Sequence, residues 1–321
     1  MVVKSIPDNF APLDGGLVYE LAFDGEMPCA DVAVVDVTRS RVAARLRFSQ
    51  TAAVKLDIAP YVVRMFDAAP ESGPTGLRTD LDRTVEVAVE VNGERTPVRT
   101  FTLFAFDGLA RLLTLLPADR TIATGEFDEI ALYAPEGAAV TVVSEPEEGN
   151  SVGRRIAVPP SRQIQVLRVA ADDFPQARRS LSVKFDAGGR VEELRYDRVR
   201  RTPESVRVAW LASSGAVEYY TFPTCRRRTL KVEKSAVYSR DGYRTSAVRR
   251  ETVLQLVSDF EPRSVAAALE EILSSPKVWV VAGDSITEAD VLSSTISYRS
   301  DGAPAAVTVE IRSRRREEAL Q

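Results

Sequence analysis

The 321-residue chain contains no histidine. That absence removes the commonest general base and the commonest metal-ligating side chain, and with them every Ser-His or Cys-His hydrolase. Cysteine is scarce: Cys29 and Cys225 stand far apart, cannot form a metal cluster alone, and are expected to be reduced packing thiols. Aromatic residues make up only 7%. No apolar run approaches the roughly 18 to 20 residues that cross a bilayer, so no membrane span is expected. Met1 to Asp8 lacks a basic segment followed by an apolar one, so the chain reads as made in the cytoplasm with no signal peptide. Phosphate-cradling glycine loops are missing too. Gly15-Gly16 and Gly188-Gly189 are isolated pairs that read as turns.

What is present is ordinary for a globular protein, with 45% hydrophobic and 27% charged residues. The length suggests two domains. Charge is divided unevenly between the halves. Residues 1–150 carry 13 Lys and Arg against 24 Asp and Glu, a balance of −11, while residues 151–321 carry 29 against 22, a balance of +7. Opposite faces of this kind can be no more than two differently solvated surfaces. They can also steer copies into a head-to-tail contact.

The hydrophobic pattern is mainly that of strands, and a mainly β fold is expected, built of sandwich- or barrel-like modules with a few short flanking helices. An α+β arrangement is the alternative. Thr84–Val91 alternates valines with Glu86 and Glu90, and Asn92-Gly93 supplies a type I′ turn to a return strand from Val98 to Phe106. Asp24-Gly25 reads as a turn between two strands. Tyr61, Val62, Met65 and Phe66 suggest a short helical turn. Asp107 can cap a helix carrying Leu109, Leu112, Leu113 and Leu116 at helical spacing. Glu145–Asn150 combines acid with turn formers and reads as the linker between an acidic domain (1–150) and a basic one (151–321), with Pro159-Pro160 as the other boundary. In the second half, one helix is expected over 262–273 with Val265, Leu269, Ile272 and Leu273 as its apolar stripe. Val291–Tyr298 and Ala306–Arg312 would pair around Asp301-Gly302.

The densest aromatic cluster lies in the hairpin Val206 to Phe222, which turns at Ser213-Ser214-Gly215 and carries Trp210, Tyr219, Tyr220 and Phe222. Arg226, Arg227 and Arg228 follow, and further Arg clusters stand at 198–201 and 312–316. The aromatics serve as core or interface anchors, or as a sugar platform. Adjacent acids, Asp172-Asp173 and Glu192-Glu193, point to opposite faces of a strand and read as solvated surface rather than a glycosidase pair. Asp24, Asp31 and Asp36 do not have the spacing of a calcium loop. No catalytic residue, cofactor or metal site is expected, and nucleic acid is not an expected partner because the acidic half opposes it.

From Val206 to Arg312 the sequence resembles tail or baseplate structural proteins of phages and prophages of Bacteroidales gut bacteria. Those proteins carry a strand with Trp-Leu-Asn, a glycine turn and an aromatic strand ending in Phe. The counterparts are Trp210-Leu211-Ala212, Gly215 and Tyr220-Thr221-Phe222, with Ala212 departing from the usual Asn. The likeness continues through Leu230-Lys231-Val232, Tyr238, Leu256–Asp259, the helix from Pro262 to Leu273, Ser275–Trp279 and Thr308–Ile311. It implies a non-enzymatic component of a phage tail, baseplate or related injection particle, located in the virion and assembled in the bacterial cytoplasm. Its implied partners are further copies, in a ring or hub, and other tail proteins. A carbohydrate- or receptor-binding module at a tail tip is the alternative.

Overall fold

The computed structural model describes residues 1–13, 15–103, 108–177, 179–240, 242–296 and 303–313. Among them strands dominate, with two α-helices, as the β-type patterning of the sequence demands.

The chain opens with β1 (Val2–Ser5), β2 (Val18–Asp36) and β3 (Arg41–Asp57). β2 and β3 form a long antiparallel pair from Val18↔Asp57 to Asp36↔Arg41. Asp24-Gly25 does not end a strand, contrary to its reading as a turn. Gly25, at φ +122°, sits in a bulge where the pairing jumps from Ala22↔Ala53 to Met27↔Thr51. Turn chemistry has been spent on a kink inside one strand. The short helix α1 (Ala59–Val62) and a 3₁₀ turn (Val63–Met65) follow, as the spacing of Tyr61, Val62, Met65 and Phe66 suggests, and bury Val62, Met65 and Phe66 against the first core.

β4 (Gly76–Thr79) leaves this unit to pair with a strand far downstream. The chain then returns with β5 (Thr84–Val91), β6 (Glu94–Arg95) and β7 (Arg99–Thr102). Asn92 at φ 50° and Gly93 at φ 89° make the expected I′ turn. The return partner of β5 spans only Arg99–Thr102 of the expected strand; Phe106 and the capping Asp107 lie outside the described residues.

The middle of the chain is a sandwich. β8 (Arg111–Leu113), β9 (Asp119–Ala123), β10 (Phe127–Ala134), β11 (Ala138–Glu145), β12 (Val152–Val158), β13 (Ser161–Ala170), β14 (Ser180–Asp186) and β15 (Val191–Val199) supply two sheets, ordered β4-β13-β10-β8 and β12-β11-β14-β15-β9. Val140, Val142, Leu181, Val183 and Phe185 from one sheet meet Ile130, Leu132 and Leu167 from the other.

Two expectations fail in this region. The helix over Leu109–Leu116 is absent: Arg111–Leu113 is strand, and Leu112, Leu113 and Leu116 enter three different hydrophobic clusters while Leu109 is exposed. A short apolar run buried on both faces imitates helical spacing. Glu145–Asn150 is not a linker between two modules. It leads from β11 into β12, which are paired from Ala138↔Val158 to Ser144↔Val152.

The last sheet has seven strands, ordered β17-β16-β20-β21-β22-β19-β18. These are β16 (Val206–Leu211), β17 (Val217–Phe222), β18 (Thr224–Ser239), β19 (Gly242–Glu261), β20 (Val278–Ala282), β21 (Ser285–Val291) and β22 (Ala305–Ser313). α2 (Arg263–Ser274) covers it, with Pro262 as N-cap rather than first helical residue. Leu269 and Ile272 are fully buried against Trp210, Phe222, Val309 and Ile311. Each such burial stabilises by about 1.5 to 3 kcal/mol. The expected final strand pair is shifted: β21 ends at Val291, and Tyr298, Asp301 and Gly302 lie outside the described residues.

Candidate functional site

The hairpin of β16 and β17 holds the register expected from its turn, from Val206↔Phe222 to Leu211↔Val217, closed by the Ala212 N–H donating to the Ala216 carbonyl at 2.9 Å. Strand alternation divides its side chains between two environments. Trp210 and Phe222 point under α2 and are completely buried, the Trp210 indole N–H without a hydrogen-bond partner among the described residues. Neither is available to a ligand. Tyr219, on the opposite face, packs with Phe127 at 5.5 Å between ring centroids and donates its hydroxyl to Glu129 at 2.9 Å. Tyr220 shares the Trp210 face but is half-exposed, and its hydroxyl donates to Glu261 at 2.5 Å. Arg226, Arg227 and Arg228 are exposed on β18. The seven sequence candidates are therefore distributed over a core, a junction, a cleft and an exposed strand, and do not form one site.

The junction was not visible in the sequence. Where β10 meets the hairpin, three arginines are buried among carboxylates. Arg207, 2% exposed, donates to Glu126 at 3.2 Å, to Asp128, to the Phe127 carbonyl at 2.8 Å and to Thr221 at 2.7 Å. Arg83 pairs with Asp80 at 2.7 Å, lies 3.7 Å from Glu129 and reaches the Gly215 carbonyl at 3.2 Å. Arg120 lies between Asp128 at 3.8 Å and Glu218 at 3.7 Å. Burial pushes the Asp128 carboxyl above its ordinary range, opposed by the Arg207 and Arg120 guanidinium groups. Burial, with the Glu129 charge beside it, pushes the Tyr219 phenol well up. Buried ions of this density persist only when every charge is matched, so the network fixes how the sandwich meets the last sheet. Its one sequence signal is Glu126-Phe-Asp-Glu129, acid at the head of an otherwise apolar strand.

Beside the network opens a cleft of about 230 Å³ lined by Asp119, Arg120, Asp197, Tyr220 and Glu261 among others. Apart from the exposed Asp24, the remaining candidate acids have structural partners. Asp172 accepts from the Gly125 N–H at 2.8 Å, Asp173 from the Thr75 N–H at 2.6 Å, and Glu192 from the Leu112 N–H at 3.0 Å. Asp31 pairs with Arg47, and the buried Asp36 with Arg39 and Arg41. Among the described residues no group of three His, Cys, Asp or Glu side chains is placed to hold a metal ion. Cys29 and Cys225 are unbridged and half-buried. No described helix is long and apolar enough to cross a membrane.

The most exposed structure is a ribbon. β18 and β19 pair from Thr224↔Val257 to Ser239↔Gly242, but β22 covers β19 only from Val253 onward. Among the described residues, Leu230–Ser239 and Gly242–Thr252 have no other strand beside them, over about 33 Å at ~3.3 Å per residue, and only at the base does Glu251 reach Arg312 of β22, at 3.5 Å. Leu230 is 57% exposed, Val232 45%, Tyr238 72% and Tyr243 80%, the two tyrosines stacked edge to face at 5.1 Å. Residues 224–252 carry nine Lys and Arg against three Asp and Glu. One ribbon face, through the pairs Arg228↔Leu254, Leu230↔Thr252, Val232↔Arg250 and Lys234↔Val248, holds no acid at all.

No family model and no curated protein matches the chain. Solved structures that it resembles include immunoglobulin-domain and adhesion-repeat chains. Extracellular domains 3–5 of Drosophila OTK align over 74% of this chain and 85% of that one, at 6% identity and a TM-score of 0.25. The Dpr2 Ig1-Ig2 complex with DIP-Theta Ig1-Ig3 aligns over 97% and 88%, at 8% and 0.20. A tetra-tandem repeat from the extending region of a large adhesion protein aligns over 79% and 69%, at 12% and 0.20. Scores this low carry no functional argument.

Proposed function

We propose that the chain is a non-enzymatic structural subunit that assembles through protein contacts, as a component of a phage tail, baseplate or related injection particle. The observation that carries this reading is the ribbon of β18 and β19. A two-stranded ribbon is marginal in water, and an exposed strand edge with apolar side chains is a template for another chain. This one ends in an exposed tyrosine pair and has a basic, aliphatic face continuous with the core residue Leu256. The buried arginine network supports the same role, because it fixes the sheet that carries the ribbon against the middle sandwich. The particle type comes from the resemblance of Val206–Arg312. Replacing residues 230–252 by Asn-Gly tests the reading by light scattering. The intact chain is expected above its 35.2 kDa monomer mass, falling with salt, and the shortened chain at monomer mass. An intact chain that stays monomeric in low and high salt would overturn it.

The cleft beside Tyr220 favours a second reading, a carbohydrate- or receptor-binding module, since carboxylates and a tyrosine line it together. Calorimetric titration with glycans would support that reading only if Tyr220→Ala abolished the heat.

A further inference from the structure

We propose that the ribbon docks on a second copy of this chain, β18 of one copy adding as a strand beside Phe23–Ala30 in β2 of the next. This rests on the assembly reading above and names its partner.

β2 has a gap. Along one side it is paired with β3, apart from the bulge. Along the other, β1 covers Glu20–Ala22 and β5 covers Val32–Asp36, while Asn92 holds Asp31 by its side chain and its N–H, both at 2.9 Å. Phe23–Ala30 therefore have no strand beside them on that side, over about 26 Å at ~3.3 Å per residue. The gap opens into a cleft of about 230 Å³ whose apolar lining is Met1, Phe23, Met27 and Val91, the Met1 ammonium pairing with Glu94 at 2.9 Å. Asp24 and Glu26 project there, both exposed and in no hydrogen bond or salt bridge among the described residues.

The ribbon offers the complement. β18 is the last strand of its sheet, so no strand lies beside its outer edge, and beyond Cys225, whose N–H donates to the Glu204 carbonyl at 3.2 Å, that edge is open to another chain. Thr224–Ser239 carries Arg226, Arg227, Arg228, Lys231 and Lys234 against Glu233 alone. Exposed Leu230 provides an aliphatic side chain for the cleft. Strand addition supplies main-chain hydrogen bonds, and charge selects the partner. The other unpaired edges fit worse. A second β18 would bring like charge against like, and β3 offers no acid before Asp57, its Arg41, Arg47 and Lys55 already pairing with Asp36, Asp31 and Glu20 of β2. Ribbon and gap are different surfaces of one chain, so the contact is heterologous and continues into a ring or a filament.

Two charge-reversed chains test this: a gap variant (Asp24→Lys with Glu26→Lys) and a ribbon variant (Arg227→Glu with Arg228→Glu). All four positions are exposed, and melting curves matching the unaltered chain check the fold. By sedimentation velocity each variant alone is expected as a single chain. Mixed, they are expected to assemble again beyond a single chain, because the unaltered ribbon meets the unaltered gap at one contact and the two charge-reversed surfaces complement each other at the next. A gap variant that assembles like the unaltered chain, or a mixture that stays unpaired, overturns the docking site while leaving ribbon-dependent assembly in place. An unaltered chain that is single at every concentration and salt overturns both.

Discussion

Tyr219 of the aromatic hairpin donates a hydrogen bond to Glu129 of the middle sandwich, two residues 90 positions apart. The bond is buried, and the same carboxylate also accepts from Arg78 at 3.0 Å. The hairpin is thereby held in place from its far face while Trp210 and Phe222 anchor it from the near one.

Tyr219→Phe removes that hydroxyl and leaves a buried Glu129 carboxylate oxygen without its donor. The expected loss is about 1 to 3 kcal/mol, the cost of an unsatisfied buried group. Urea unfolding at neutral pH measures it. A loss below 0.5 kcal/mol (~0.5 on the scale of an exposed substitution) would show that the bond does not matter.

Arg207→Met leaves Glu126 and Asp128 buried without their guanidinium, at an expected cost of about 3 to 5 kcal/mol. The variant also acquires a pH signature. Asp128 already has a folded-state pKa raised above the ordinary 3.8 by burial. A raised carboxyl contributes stability that is fully present below 3.8 and lost as pH rises through the folded value. Without Arg207 opposing it, the folded value climbs further, so the destabilisation should shrink as pH is lowered from 7. Melting curves across that range decide this, and a deficit that grows in acid would contradict it.

Tyr19 is a buried phenol whose hydroxyl has no hydrogen-bond partner among the described residues, pushed up to about 12 from 10.0 by burial. Its contribution to stability is fully present below pH 10 and lost as pH rises through about 12. Tyr19→Phe should be close to neutral at pH 7 and should flatten the alkaline loss of stability. Unfolding followed between pH 8 and 12 tests both halves of the expectation, and a variant as alkali-sensitive as the parent would refute it.

Much of the fold was legible because alternation and turn chemistry are local. Thr84–Val91 with Asn92-Gly93, the hairpin of Val206–Phe222, and the stripe Val265, Leu269, Ile272 and Leu273 each formed the element their spacing specified. Failures came where one local signal serves two ends. Gly25 permits a bulge as readily as a turn, and Leu112-Leu113 suits a strand buried on both sides as well as a helix. The buried ion network was illegible because its members are brought together from Asp80, Arg120, Glu129 and Arg207 by tertiary packing alone. Arg226–Arg228 could be read as exposed charge, but their place beside an unpaired edge depends on which strand ends the sheet.

β4 gives the order of synthesis a consequence of its own. Its Thr79 pairs with Gln165, and its Gly76 with Arg168, in a sheet otherwise made of later residues. A chain leaving the ribosome must hold β4 unpaired while some 90 residues are added, about 5 to 18 seconds at bacterial rates of roughly 5 to 20 residues per second. The first sheet can close during that interval, around the strand it lends to its neighbour. A cut placed after Thr102 would leave the upstream fragment with a spare strand and the downstream one with a missing edge.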